Sequence, residues 1–95
     1  MKITILEKNY SVSEKLRRII DDKFEKLQKF FKKDDVEVTL TLSEIGNSKI
    51  MEAVLSTVRD IYKASEDSTD MFTNVDVVVD KLKRQIVKDK DKRQG

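Results

Sequence analysis

The chain has 95 residues, of which 38% are hydrophobic and 40% charged, and its formal net charge is +2. This length suits one small domain with a single core. The chain contains no cysteine and no histidine, so disulfides, thiolate nucleophiles and zinc–thiolate sites are excluded and the commonest general base is missing. We predict neither a cofactor nor a metal site. Without a long apolar run or a recognisable signal peptide, we expect a cytoplasmic protein.

Charge is distributed unevenly along the chain. Residues 14–33 and residues 80–95 each carry a net charge of +4, whereas residues 34–79 carry −7. Such segregation favours a polyanionic partner. Solvated helix faces rich in lysine would produce the same pattern without any partner, and the charge tally alone does not separate the two interpretations.

The first two elements are a short strand and an amphipathic helix. Residues 2–6 are rich in β-branched side chains and predict a strand. A helix is predicted from Glu14 to about Phe31, and its N-cap is either Ser13 or, through a capping box, Ser11. Its apolar side chains recur at helical spacing. They are Leu16, Ile19, Ile20, Phe24, Leu27, Phe30 and Phe31.

Three strands are expected next, over residues 36–44, 49–57 and 61–65. The first alternates strictly between apolar and polar residues, which predicts a sheet with one face on the core and one in water. The turn at residues 45–48 requires a positive φ at Gly46 or Asn47. The turn at residues 58–60 lacks glycine, so its hairpin signal is weak.

The last element is a helix that begins around Ser68–Asp70, where hydroxyl and acidic side chains provide capping groups. Its apolar stripe predicts one buried face. The stripe consists of Met71, Val75, Val78, Leu82 and Ile86. A second flank carries Lys81, Arg84 and Lys88, with Gln85 at its border. Residues 93–95 are expected to be a polar tail.

The element order β-α-β-β-β-α predicts an α+β fold. The first two strands should be parallel and joined by a right-handed crossover, and the last three should form an antiparallel meander. Because only one sheet face is apolar, both helices should pack on it. We therefore expect a two-layer sandwich with a four-stranded sheet, similar to double-stranded RNA-binding domains, in a single domain over residues 1–92.

The motifs favour binding over catalysis. The chain has two glycines and neither a phosphate-binding loop nor a dinucleotide fingerprint. Its paired acids are adjacent on a helix or sit at turns, where they do not form a catalytic dyad. No aromatic pair lies on the outer sheet face and no G-x-x-G loop is present, which argues against base-stacking RNA modules. We predict a protein that is not an enzyme and that recognises RNA shape and backbone through helix-borne cations.

The pattern Asp70-Met71-Phe72, followed by Asp80-Lys81-Leu82-x-Arg84-Gln85, resembles the closing helix of bacterial ribosome hibernation-promoting factors. These proteins are also called ribosome-associated inhibitor or sigma-factor modulation proteins. The opening strand at residues 2–5 and the helix sequence within residues 13–30 are similar to the same family. The resemblance covers about residues 1–92.

This resemblance implies binding to the small ribosomal subunit and its rRNA, in the channel used by mRNA and the tRNA anticodon ends. Translation would be blocked there during stress or stationary phase, with no membrane and no small-molecule substrate involved. The basic and polar positions that match the family are Lys23, Lys26, Lys29, Lys81, Arg84, Gln85 and Lys88. Ribosome dimerisation would follow if the full-length protein carries the second, dimerising domain of long members, and the resemblance leaves open whether it does.

Two alternatives stay open. Lys23 falls inside the apolar stripe of the first helix, so it is either a lysine that snorkels from the edge of the core or one that packing holds for a function. The protein could also be a protein-interaction module, similar to a sigma-factor modulator. Its contact surface would then be the acidic middle or the outer sheet face around Glu37, Thr39 and Thr41.

Overall fold

A computed structural model describes residues 1–32 and 35–94 and confirms the predicted order of elements. The elements are β1 (Lys2–Lys8), α1 (Glu14–Glu25), a 3-10 turn (Gln28–Phe30), β2 (Glu37–Ile45), β3 (Ser48–Ser56), β4 (Ile61–Ser68) and α2 (Met71–Gln94). The strands are neighbours in the order β1-β2-β3-β4, with β1 parallel to β2 and the other pairs antiparallel. The predicted parallel pairing of the first two strands and the antiparallel meander are therefore both confirmed.

One hydrophobic core lies between the sheet and the two helices. The inward side chains of β2 and β3 form its floor, and the apolar stripes of α1 and α2 close it from one side. All of the following are at most 2% exposed: Val38, Leu40, Leu42, Met51, Ala53, Leu55, Leu16, Ile20, Phe24, Met71, Val75, Val78, Leu82 and Ile86. The opposite sheet face carries exposed or half-buried polar residues such as Glu37, Thr39 and Thr41. The strict alternation of β2 thus determines which face of the sheet packs against the helices.

The first helix ends earlier than predicted. α1 stops at Glu25, and the chain continues in a 3-10 geometry in which Leu27 N–H donates to the Phe24 carbonyl and Phe31 N–H to the Gln28 carbonyl. Leu27 and Phe31 nevertheless remain buried. Apolar residues spaced three apart fit a 3-10 turn as well as an α-helix, so periodicity alone did not locate this boundary.

The boundary between β4 and α2 also differs from the prediction. β4 continues past residue 65 to Ser68, because Glu66, Asp67 and Ser68 pair with the first residues of β3. Polar residues suit such an edge strand. Asp70 then caps α2, since its Oδ1 accepts a hydrogen bond from Phe72 N–H at 2.9 Å. The predicted start of α2 around Ser68–Asp70 is thus confirmed, with Asp70 as the capping residue.

The β2–β3 and β3–β4 turns are each stabilised by a residue within the turn. Gly46 has a φ of +60°, as expected for the β2–β3 hairpin. The β3–β4 turn works without glycine because the Thr57 Oγ1 accepts hydrogen bonds from Arg59 N–H at 3.3 Å and Asp60 N–H at 3.0 Å. The side chain of Thr57 therefore replaces the backbone freedom that a glycine would supply.

A buried asparagine ties the start of α2 to the sheet. Asn74 is 0% exposed, its Nδ2 donates to the Lys49 carbonyl at 2.8 Å and its Oδ1 accepts from the Ser68 Oγ at 2.7 Å. Burying an amide is unfavourable unless both of its ends find partners. Asn74 therefore sets where the N-terminal turn of α2 lies over β3 and β4.

We expect Asn74→Ala to lower the free energy of unfolding by about 1–3 kcal/mol, because it leaves the Lys49 carbonyl and the Ser68 hydroxyl without this partner. Urea unfolding followed by circular dichroism measures the change. The matched control is the neighbouring exposed Thr73→Ala, which should change it by less than about 0.5 kcal/mol. Equal effects of the two substitutions would contradict this role for Asn74.

α2 reaches Gln94, two residues into the segment that was expected to be a tail, while Gly95 lies outside the described residues. The described helices are too short or too polar to cross a bilayer. Within residues 1–32 and 35–94, no group of three acidic side chains is arranged to hold a metal ion.

Candidate nucleic-acid interface

The burial of one stripe on α2 divides its polar residues between two flanks. An α-helix has about 3.6 residues per turn, so residues two positions apart lie on nearly opposite sides. With Val78 and Leu82 facing the core, Lys83 falls on the side of α1 and Lys81 on the side of β4. Arg84 points outward between them and has an 80% exposed side chain.

A groove of about 260 Å³ runs between α1 and α2. Its lining combines four lysines, two aspartates and three apolar side chains. They are Lys23, Lys26, Leu27, Lys29, Phe30, Asp76, Val79, Asp80 and Lys83. The 3-10 turn that follows α1 supplies Lys29 and Phe30, so the early end of α1 shapes one wall of the groove. This groove therefore brings together three of the predicted site residues, Lys23, Lys26 and Lys29.

The two aspartates of the groove are already paired. Lys23 Nζ lies 2.6 Å from the Asp76 Oδ1, which joins α1 to α2, and Arg84 lies 3.0 Å from the Asp80 Oδ2 within α2. Lys23 is thus more than a lysine that snorkels at the core edge, because its ammonium is held by a carboxylate on the other helix. Half-exposed pairs of this kind contribute little stability, but they reduce the negative charge that the groove presents.

Three lysines of the groove keep their charge available. Within the part of the chain that the structure describes, Lys26, Lys29 and Lys83 have no carboxylate within 4.0 Å. We call these three residues the groove lysines. They come from the residue that directly follows α1, from the 3-10 turn and from α2, and they converge on one concave surface. Such a surface can neutralise several oxygens of a phosphate backbone at once.

On the other flank of α2, two predicted site residues bind the sheet. Lys81 Nζ donates to the Ser65 carbonyl at 2.8 Å and lies 3.6 Å from the Glu66 carboxylate, and Gln85 Nε2 donates to the Lys63 carbonyl at 2.7 Å. Four residues of helix rise about 6 Å, and two residues of strand rise about 6.6 Å. The spacing of the two side chains therefore matches that of two alternate carbonyls.

Within the part of the chain that the structure describes, β4 is an edge strand, because it pairs with β3 alone. Unpaired carbonyls along an edge invite pairing with another chain. Lys81 and Gln85 cover two of these carbonyls. At least part of their role is therefore to attach α2 to the edge of the sheet.

The double substitution Lys81→Ala/Gln85→Ala should lower the free energy of unfolding by about 1–2 kcal/mol, because two hydrogen bonds between α2 and β4 are lost. It should also increase self-association at high concentration, measured by sedimentation velocity. Arg84→Ala is the control, since its exposed pair with Asp80 within one helix should contribute less than about 0.5 kcal/mol. If the double variant were as stable and as monomeric as the control, these contacts would have no structural role.

Lys88 lies beyond Gln85 on the same flank. It lines a shallow depression with Asp60, Ile61, Tyr62, Gln85 and Asp89. Tyr62 OH donates to the Asp89 Oδ2 at 2.6 Å there, which fastens the C-terminal part of α2 to β4. Lys88 is exposed, and the described side chains offer it no carboxylate within 4.0 Å.

The seven predicted residues therefore form two groups on opposite flanks of α2. The first is Lys23, Lys26 and Lys29, and the second is Lys81, Gln85 and Lys88, with Arg84 outward between them. Sequence reasoning missed Lys83, which completes the groove. The signal was available, because Lys83 lies four residues after Val79 and so borders the apolar stripe on the side away from Lys81.

Comparison with known proteins identifies a family. Residues 3–94 match the family described as sigma 54 modulation protein / S30EA ribosomal protein. A ribosome hibernation promoting factor of Salmonella typhimurium is 32% identical over 93 residues, which cover 97% of this chain and 96% of the relative. A ribosome hibernation promotion factor of Picosynechococcus is 30% identical, and the alignment covers all of this chain and 52% of that longer protein.

Solved structures agree on the fold. The N-terminal domain of Thermus thermophilus Protein Y superposes with a TM-score of 0.83 at 20% identity, covering 90% of this chain and 96% of that one. A ribosomal subunit interface protein from Coxiella burnetii superposes with a TM-score of 0.86 at 23% identity, covering 96% and 99%. The family match over residues 3–94 and the relatives at 30% identity or more show the family, and the superpositions show the fold. The chain belongs to the sigma 54 modulation protein / S30EA ribosomal protein family.

Proposed function

We propose that this protein is a ribosome hibernation factor that binds rRNA of the small ribosomal subunit and blocks translation by occupying the channel for mRNA and tRNA. The observation that carries the proposal is the convergence of Lys26, Lys29 and Lys83 in one groove, without carboxylate partners among the described residues, on a chain of this family. The relatives named as hibernation factors support the same role.

The distribution of charge over the two layers supports contact through the helices. On the outer sheet face, the exposed cations Lys2, Lys8 and Lys63 lie among the exposed acids Glu37, Glu52 and Asp67. That face is balanced, so it has little attraction for a polyanion. The groove lysines and Lys88 lie on the helix layer instead. Salt screens electrostatic attraction beyond about 8–10 Å at cellular ionic strength. A phosphate backbone is therefore attracted by the layer that carries these lysines and not by the opposite face.

The mechanism requires no bond to be made or broken. Lysine ammonium groups release condensed counterions when they neutralise phosphates, and this release supplies the binding free energy. The domain then excludes other ligands by occupying their space. Its rigid core, with both helices on one sheet face, keeps the cations in a fixed arrangement and avoids an ordering cost on binding.

Co-sedimentation with purified ribosomal subunits tests the proposal. We expect the protein to pellet with small subunits, and its affinity to fall steeply as salt rises from 50 to 200 mM. An in vitro translation reaction should be inhibited at the concentrations that saturate the small subunit. Binding to large subunits only, or binding that survives complete RNase digestion of the ribosomes, would contradict the proposal and favour a protein partner.

A further inference from the structure

We propose that the groove between α1 and α2 holds one unstacked nucleotide of an RNA strand, with its phosphates on the groove lysines and its base on an apolar floor formed by Phe30 and Val79. This inference rests on the proposed function but goes beyond contact with the phosphate backbone. It assigns the groove a ligand with an apolar face as well as a charge.

The composition of the groove motivates this choice of ligand. A surface that only neutralises phosphates needs cations and water, whereas apolar side chains also line this groove beside its lysines. Phe30 and Val79 are only partly buried although they pack against the core, so each keeps some apolar surface to cover. A base packed on them would remove that surface from water.

The Phe30 ring is already in an environment suited to a nucleotide. The Lys29 Nζ lies 5.3 Å from its centroid, within the range of a cation–π contact. The ring thus stands next to a charge that can meet a phosphate while part of the ring is free to contact a base. Aromatic side chains beside cations are how proteins bind single-stranded nucleic acid without strong sequence preference.

The size of the groove limits what it can hold. Its volume of about 260 Å³ is just below the range of roughly 300–1,000 Å³ that accommodates drug-sized ligands. The groove therefore has no room for a run of stacked nucleotides, and it takes at most one base, with the phosphates outside it on the lysines. Bases inside an A-form duplex are stacked and cannot enter a groove between two helices, so the occupant must be single-stranded or turned out of a helix.

The paired acids strengthen the argument. Asp76 is held by Lys23 at 2.6 Å and Asp80 by Arg84 at 3.0 Å. These pairs offset the two negative charges of the groove and leave the three groove lysines, which have no carboxylate partner among the described residues, as the net charge facing a ligand. An anionic ligand is therefore favoured over a neutral apolar one, and the apolar floor favours a nucleotide over inorganic phosphate.

The test measures binding of fluorescent RNA oligonucleotides by anisotropy at a fixed salt concentration. Three probes of equal length are used: a single strand, a single strand with abasic positions in place of its bases, and a duplex. We expect the single strand to bind about fivefold or more tightly than the abasic strand, and more tightly than the duplex. An abasic strand or a duplex that binds as well as the ordinary strand would overturn the inference.

A pair of variants localises the base. Val79→Ser on the groove floor should remove most of the difference between ordinary and abasic strands. Val87→Ser, at a position on α2 that is 37% exposed and outside the groove, should preserve it, and circular dichroism checks that both variants fold. If Val79→Ser leaves the difference unchanged, the base does not lie on this floor.

The two proposals fail in different ways. If the protein pellets with small subunits but does not distinguish the abasic strand, only the nucleotide inference is wrong. If it distinguishes the strands but does not pellet with small subunits, the proposed function is wrong and the groove is an RNA site of another kind.

Discussion

Replacing the three groove lysines by alanine, as Lys26→Ala/Lys29→Ala/Lys83→Ala, is expected to lower the affinity for small ribosomal subunits by about two orders of magnitude. The reason is electrostatic, because each lost lysine removes one phosphate contact and the counterions that this contact releases. All three side chains are free of intramolecular carboxylates among the described residues. Co-sedimentation at constant salt measures the loss.

The salt dependence provides a second readout of the same variant. A logarithmic plot of affinity against salt concentration should become shallower by about 2–3 units, since each neutralised phosphate contributes roughly 0.7–0.9. Loss of affinity with an unchanged slope would mean that the lysines act on something other than phosphate.

The chain offers a matched control on its opposite face. Lys2→Ala/Lys8→Ala/Lys63→Ala also removes three exposed lysines and takes the net charge from +2 to −1, as the groove variant does. We expect the control to bind at least about tenfold more tightly than the groove variant, because the sheet face lies away from the helix layer. Equal losses would show that overall charge, and not the groove, governs binding.

The largest effect on stability is expected for Phe24→Ala, which should lower the free energy of unfolding by about 3–5 kcal/mol. Phe24 is 0% exposed in the core between α1 and the sheet. Because the interior is close-packed, neighbouring side chains cannot fill the cavity that its removal leaves. For a domain of this size, the melting temperature should fall by at least about 12 °C. Thermal unfolding followed by circular dichroism measures the shift.

Phe72→Ala is the control for Phe24. It deletes the same atoms from a side chain that is 37% exposed at the start of α2, so it should cost less than about 1 kcal/mol, including its contact with the ammonium of Lys15 at 5.8 Å. Similar melting temperatures for the two variants would show that α1 is not held by Phe24.

Comparing the two experiments separates folding from binding. Phe24→Ala should weaken ribosome binding only under conditions that unfold the domain. Lys26 and Lys29 follow α1, so they keep their positions as long as α1 stays packed on the sheet. The groove variant should bind poorly while melting at nearly the same temperature as the unmodified protein. Surface lysines without ion-pair partners contribute little to stability.

Most of the fold was predictable from the sequence because it rests on local periodicity. The alternation of β2 orients the sheet, and the stripes of α1 and α2 orient the helices toward it. The errors lie at the element ends, where different local structures satisfy one pattern. The three-residue spacing from Phe24 to Leu27 fits an α-helix or a 3-10 turn, and the polar end of β4 reads equally well as the start of a helix.

The candidate site was predictable only in part. The two basic segments and most of their lysines can be read directly from the chain, as can the family resemblance, because residue type and spacing carry both. The family itself was confirmed by comparison. The binding role of each site residue stays a prediction. The structure adds that Lys23, Lys81 and Gln85 also make contacts within the protein.

The order of elements, the buried stripes and the segregation of charge can be read from the chain, since each depends on neighbours within a few residues. Which cations are available depends on tertiary contacts. Lys23 meets Asp76 across two helices, Lys81 and Gln85 meet carbonyls of β4, and Lys83 meets the α1 side of the groove. These partners lie far apart in sequence, in some cases more than fifty residues. Their pairing depends on how α2 is rotated over the sheet, which no local pattern specifies.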